Sequence, residues 1–506
     1  MKFTPPSLLG ALASLALVTA LPAAPVGVFS DQGDIGSPAI AGSTSYDPGL
    51  QTYRMTGSGA NLWTNNDQCQ FAWRKLTGDF ILRARVDFIG MGAEAHRKLG
   101  WMVRTSLDTD SAYADGCVHG DGLTSLQFRR ARGSTTEEKR LVIRGGDVIQ
   151  LERRGDTIVF SAARYGDTFE STELKGVPLG DEVFAGLFLC AHNAQVKEEA
   201  AFRDVRIIRP AKPDFRPYRD YIGSTLEVLH VFTGKLEELH HAAEPFEAPN
   251  WLPDGRTLLY NISGSGPNKG LLRLHDLVTG EIKPFDSGVC IHNNNDHVLS
   301  FDGQHLGISN HTPESDNQSA VFTLPAAGGA ATRITPHFPS YLHGWSPDGQ
   351  WLVYTGGRNG KFDIYKIPSA GGDEVRLTST PGLSDGPEYS PDGAYIYFNS
   401  TRTGRMQLWR MKPDGSSPEQ LTNDEFNNWF PHISPDGKWI VFISFGGHVR
   451  ADDHPYYEHV YLRLMPVGGG QPRVIAYVYG GQGTINVPSW SPDSSRIAFV
   501  SNSDTW

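Results

Sequence analysis

Trp345-Ser346-Pro347-Asp348-Gly349-Gln350-Trp351-Leu352-Val353-Tyr354 reads as a tight turn followed by a short apolar strand. Proline presets φ, the aspartate caps the turn, and glycine takes the left-handed position. The turn recurs. Its aspartates are Asp254, Asp302, Asp348, Asp392, Asp436 and Asp493, at steps of 48, 46, 44, 44 and 57 residues. Apolar runs follow the copies, as in Tyr395–Phe398 and Trp439–Phe442. A period of this size, with a strand after each turn, predicts a β-propeller in which one repeat is one four-stranded blade. Residues 224–241 supply two strands with no such turn ahead of them, and Arg496–Val500 is a last strand with nothing to follow it. The two pieces complete one blade, so six turns mean six blades and a ring without sheet edges.

Outward from this half, the chain of 506 residues is too long for one core, and two domains are expected. Residues 26–208 lack the period. Phe80, Leu82, Ala84, Val86 and Phe88 alternate with Ile81, Arg83, Arg85 and Asp87, the pattern of a half-buried strand. Val148–Leu151 and Ile158–Phe160 flank Arg153–Asp156 as a hairpin, and 184–189 and 202–208 add strands. An antiparallel β-sandwich follows. Arg209–Pro217 is the proline-rich joint. The expected order is an export signal at 1–24, a sandwich at 25–208, a linker at 209–220 and a propeller at 221–506, all-β throughout.

Met1-Lys2, an apolar stretch from Leu8 to Leu21 and Pro22-Ala23-Ala24 have the form of a secretory signal, too short to anchor in a membrane. A secreted protein is expected, extracellular or periplasmic, and monomeric. The net charge of −11 argues against nucleic acid or an anionic membrane as partner. Cys69, Cys117, Cys190 and Cys290 show no zinc spacing, and paired and buried thiols are equally open readings. Asn261, Asn310, Asn317 and Asn399 are glycosylation sequons.

Several short motifs carry resemblances. Gly78-Asp79-Phe80, Gly100–Arg104, Asp121–Phe128, Leu151–Gly155 and Gly186–Asn193 resemble a concanavalin-A-like sandwich domain of unknown function, similar in architecture to carbohydrate-binding sandwiches. That resemblance makes Trp63, Asn65, Asn66, Trp73, Trp101, His119 and His192 ligand candidates, with Trp63 and His119 nearest loop tips and Trp101 suited to core packing. Pro249-Asn250-Trp251, Trp345–Gly349 and Arg376-Leu377-Thr378 resemble the TolB-type propeller repeat over residues 220–501. It implies the fold and no reaction.

Chemistry is expected where the repeats diverge. Three residues before the serine slot of each turn stands a proline (Pro249, Pro387, Pro431, Pro488), but the second and third blades carry His297 and His343. Around them stand Asn295, Asp296, Tyr341, Asp385, Glu388, Trp429, His432, Gln482 and Asn486. Outgoing loops add His311, Arg358 and Arg402, and an insertion at 446–459 adds His454. This mixture of imidazoles, carboxylates, amides and aromatics suits a polar sugar. His297 and His343, supported by Tyr341, are the acid–base candidates, and Trp429 is the stacking platform. The expectation is a carbohydrate-active protein that cleaves a uronate-containing saccharide by β-elimination at the axial mouth. Proton abstraction beside a carboxylate needs charge neutralisation, by arginine or by a divalent metal such as calcium or manganese. Two alternatives stand: hydrolysis through Asp385 and Glu388, and glycan or protein binding without turnover. A third places the main ligand site in the sandwich, where Trp63, His119 and His192 would then cluster.

Overall fold

The computed structural model describes residue 1 and residues 25–505. The expected export signal therefore lies, but for Met1, outside the described residues. Every regular element among them is a β-strand apart from one turn of 3-10 helix at Pro313–Ser315.

Residues 31–208 form two antiparallel sheets of seven strands each. One runs Asp31–Ile35, Cys69–Thr77, Glu182–Cys190, Lys98–Arg104, Tyr113–His119, Leu123–Arg129, Glu137–Arg144 from edge to edge. The other runs Glu170–Leu174, Thr157–Ala163, Val148–Arg154, Phe80–Ile89, Glu198–Ile208, Thr52–Gly57, Ser43–Asp47. They share one apolar core that takes Phe80, Leu82, Ala84 and Val86 from one sheet and Leu99, Trp101 and Val103 from the other. The alternation at 80–88 thus finds its core face. The opposite face departs from expectation, because Ile81 and Arg83 are buried too. The propeller covers that face, where Ile81 packs with Ile222, Tyr457 and Tyr479. All four cysteines are buried free thiols.

The propeller has six blades. Five are four-stranded sheets in chain order. The sixth joins Lys235–Ala242, Ser224–His230 and Arg496–Asn502, with Trp490 bridging to Ile497 as the innermost contact. The ring closes as the repeat predicts. The turns show why. In all six, the aspartate carboxylate accepts the backbone N–H two residues on. The next residue is left-handed, glycine at φ 66 to 70° in five copies and Ser494 at 61° in the last. Only glycine takes that conformation without steric cost. Tryptophans tie blade to blade: Trp345 Nε1 donates to Val298 O at 2.9 Å, and Trp490 Nε1 to His432 O at 3.0 Å. Of the sequons, Asn261, Asn310 and Asn399 are buried and closed to glycan, and Asn317 is exposed.

The domains meet over a broad surface. Tyr165 Oη donates to Ile475 O at 2.9 Å, and Tyr477 Oη to Asp167 O at 2.7 Å. Glu227 is the buried joint. Its carboxylate takes Arg206 of the sandwich at 2.5 Å and Ser501 of the last strand at 2.5 Å. Removing one member of a buried pair leaves the other charge stranded, at a cost of ~3–5 kcal/mol. Arg206→Ala is therefore expected to lower stability by about that amount in urea unfolding, and to split the denaturation into separate sandwich and propeller transitions. A single unshifted transition would show that Glu227 does not couple the two.

Candidate functional site

Each innermost strand begins at the axial mouth and carries a register shift. The breaks fall between Glu247 and Asn250, Asn293 and His297, Leu342 and Gly344, Asp385 and Glu388, and Trp429 and His432. Ala248, Gly386 and Phe430 occupy the left-handed region at φ 59, 59 and 54°, each just before a proline. Such a bulge re-aims the side chains beside it. The position two before the proline or histidine slot becomes one ring of residues: Glu247, Asn295, Tyr341, Asp385, Trp429 and Asn486. All but Glu247 are in the set picked from the sequence.

The insertion at 446–459 lies over this ring. His454 packs edge-on against Trp429 at 4.5 Å and against Phe430 at 5.4 Å. Tyr456 crosses further and donates its hydroxyl to Glu247 Oε2 at 3.3 Å. What stays open is a cavity of about 530 Å³ walled by Glu247, Asn295, His292, His311, Tyr456 and Gln482, with Asn317 and Lys269 at its border. Asn486 Nδ2 donates to Asp296 Oδ1 at 3.4 Å beside it. The Gln482, Asn486 and Asn261 side-chain oxygens are buried with no partner.

Two carboxyl groups of the ring have opposite electrostatics. Burial pushes Glu247 up to about 7, against the opposing bonds from Asn261 and Tyr456, and the Asp296 charge adds to the rise. Burial also raises Asp296 itself. Burial raises Asp385 as well, but bonds from His343 and Thr355 and the charges of His343 and His454 outweigh it and hold Asp385 at about 2. His343 Nε2 stands 3.4 Å from Asp385, and Thr355 Oγ1 donates to it at 2.6 Å. Burial disfavours the His343 cation, yet Asp385, Asp296 and Glu388 more than compensate and raise it. Tyr341, beside them, is pushed up to about 12 by burial and by the same two aspartates.

Other candidates stand apart from this group. His297 is fully enclosed, 3.4 Å from Leu259 O, and burial lowers it to about 4. It is a strut between blades. Trp429 is 0% exposed, sealed by His454, and offers no stacking face, against expectation. Arg358 is bidentate on Glu374 at 2.8 and 2.9 Å, and Arg402 lies over Phe398 and Trp409 with Nε on Ser400, so both serve blade packing. Glu388 and Asp385 do not form a pair. Glu388 accepts from His432 at 2.7 Å and from Ile433 N at 2.9 Å, while His432 also donates to Ile485 O at 2.8 Å, a chain of bonds across blades. His311 Nδ1 is bonded to Asn317 O at 2.9 Å on the cavity wall.

Among the described residues metal-ligand spacing occurs in the sandwich, where donor atoms of His96, His119 and Asp121 lie within 4.8 Å of one another. The His96 ring also stands 5.8 Å from His119 and 5.5 Å from His192. Two of the three sandwich candidates thus gather about His96, while Trp63 is exposed on another loop beside Thr136. Trp101 is core, as expected; Trp73 is nearly buried, and Asn65 and Asn66 are exposed. At the opposite end of the propeller axis the wall changes character: a cavity of about 430 Å³ is lined by Trp251, Phe301, Trp345, Tyr389, Trp490 and the turn prolines.

Residues 340–451 match the family model of the TolB beta propeller domain. Over 279 residues the chain is 44% identical to the uncharacterized protein Atu1656 of Agrobacterium fabrum, covering 55% of this chain and 92% of that protein. A solved structure of a putative TolB from Agrobacterium tumefaciens is 42% identical, covers 56% of this chain and 100% of its own, and superposes with a TM-score of 0.53. TolB from Acinetobacter baumannii is 18% identical over 50% of this chain and 65% of its own, with a TM-score of 0.37. Through its propeller half, the chain belongs to the family of the Agrobacterium protein Atu1656 and carries a TolB beta propeller domain.

Proposed function

We propose that the protein is an exported carbohydrate-active enzyme, with a concanavalin-A-like sandwich beside a catalytic propeller, and that it cleaves an acidic saccharide at the axial cavity. One observation carries the reading. A carboxyl group held at about 7 forms the wall of a polar cavity of about 530 Å³. Buried amide oxygens without partners surround it, and sugar hydroxyls would satisfy them. A group titrating near neutrality is matched to proton transfer at working pH. Environments that push two carboxyl groups apart, as for Glu247 and Asp385, assign them different roles.

In this reading Glu247 is the base that removes the proton α to a uronate carboxylate. Tyr456, already bonded to Glu247, passes a proton to the departing glycosidic oxygen. Lys269, exposed on the cavity border, faces the substrate carboxylate. The Asp385–His343 pair is a fixed dipole on the far side that orients the sugar. No metal is needed for these steps. Elimination is favoured over hydrolysis because Glu388, the partner that hydrolysis was expected to use, is committed to His432 and Ile433.

Acidic plant, algal and microbial polysaccharides are the substrates to screen, reading ultraviolet absorbance of unsaturated uronate and reducing ends in parallel. Absorbance growth is expected, rising with pH through about 7 as Glu247 ionises. Glu247→Gln should lose roughly 10²–10⁴-fold in rate. Reducing ends without absorbance would establish hydrolysis instead. Binding without either signal would overturn the enzyme.

Glu247 also makes stability depend on pH. Its folded value lies above the ordinary 4.5, so below that value both states hold the proton and stability is full. As pH rises from about 4.5 to about 7 the unfolded chain ionises first, and up to ~3 kcal/mol is lost. Urea unfolding at stepped pH should show this loss in the native protein and its absence in Glu247→Gln. Parallel curves for the two proteins would place the titration elsewhere.

A further inference from the structure

A second polar cavity, of about 300 Å³, lies between the domains. Its sandwich wall is one cross-strand row. Arg206, Arg83, Gln150, Ser161 and Ser171 are successive register partners on five neighbouring strands, and all but Arg206 line the cavity. The propeller supplies Tyr461, Tyr477 and His459 from Glu458–Pro466 and Arg473–Gly480.

Most charges here are already matched. Arg206 spends its guanidinium on Glu227, with Nε at 3.2 Å and Nη2 at 2.5 Å. Glu152 takes Arg154 at 2.7 and 2.9 Å and His459 at 3.3 Å. Ser161 and Ser171 bond each other at 2.8 Å. Arg83 is left over. It is 6% exposed, lines the cavity, and makes neither a hydrogen bond nor an ion pair among the described residues. Gln150, 4% exposed beside it, also has an enclosed amide oxygen with no partner.

The Arg83 guanidinium has five donors and no acceptor among the described residues, so its N–H groups open onto the cavity and can be bonded there. Burial lowers the Arg83 value to about 10, and the charges of Glu227 and Asp204 offset it only in part. The guanidinium fork matches carboxylate, sulfate or phosphate oxygens two at a time. The free Gln150 oxygen accepts from a hydroxyl. We propose that this interdomain cavity is a binding site for a small hydroxylated oxyanion, gripped by Arg83, oriented by Gln150 and closed over by the propeller. The site is separate from the axial cavity, and the proposal does not rest on the function assigned there.

The test uses the full chain, with inorganic sulfate and D-glycerate as probes and chloride at matched ionic strength as control. Saturable binding to one site by calorimetry is expected for both probes, with a raised melting temperature that chloride does not reproduce. Arg83→Met should keep a melting temperature close to that of the native protein without anion, because the guanidinium faces the cavity. It should also lose the anion-induced shift and weaken binding at least tenfold. Gln150→Leu should weaken D-glycerate more than sulfate, because only glycerate brings hydroxyls. If Arg83→Met does not fold, Arg83→Gln carries the same readout. Undiminished anion binding in the folded Arg83 variant, or an equal response to chloride, overturns the proposal.

Discussion

The structure depends on one pairing across the whole length of the propeller. Ser224–His230 must find Arg496–Asn502, and the register runs unbroken from Ser224 opposite Asn502 to His230 opposite Arg496. Until those strands meet, the six blades are an open array with an unpaired edge at each end. The entropy of closing so long a loop grows only logarithmically with its length, so a few well-placed contacts suffice. Glu227 stands in that pairing opposite Phe499, and its carboxylate holds Ser501 of the returning strand and Arg206 of the sandwich. Closing the ring and docking the sandwich therefore use the same buried charge.

With the ring closed, the innermost strands divide into two halves. Below the register shift they carry Trp251, Trp345, Tyr389 and Trp490, packed blade against blade. Above it, in the first, fourth and fifth blades, a left-handed residue followed by proline fixes the backbone, and the side chains two before the slot turn towards the mouth. Glu247, Asn295, Tyr341, Asp385, Trp429 and Asn486 differ while the turns repeat. The division also accounts for a polar cavity at one mouth and an apolar one at the other.

The blades were legible because a Pro-Asp-Gly turn is local chemistry: carboxylate, backbone N–H and left-handed glycine lie within four residues. Departures from the repeat also concentrate at one mouth, and that is where the polar cavity opens. Roles were less legible, because they depend on neighbours distant in the chain. His297 and His343 hold the same slot, yet only His343 meets a carboxylate on the next blade. Trp429 is buried in a core cluster, with His454 of the 446–459 insertion edge-on against its ring. Arg83 looked like the wet face of a strand until the propeller covered it. Glu247 was missed although its signal was present: Glu247-Ala248-Pro249 lines up with Asp385-Gly386-Pro387.

That alignment also gives the site its asymmetry. Two carboxyl groups stand in equivalent positions on different blades, Glu247 buried and Asp385 partly buried, and their neighbours separate them further. Asp385 faces an imidazole and a hydroxyl, which keep it ionised. Glu247 faces two amides and a phenol, which solvate it without neutralising its charge, so burial dominates. The mouth therefore sets Asp385 beside His343 on one side and Glu247, pushed up to about 7, on the other, with the open space beside Glu247. The repeat supplies both positions, and the difference between His343 and Tyr456 as neighbours supplies their opposite chemistry.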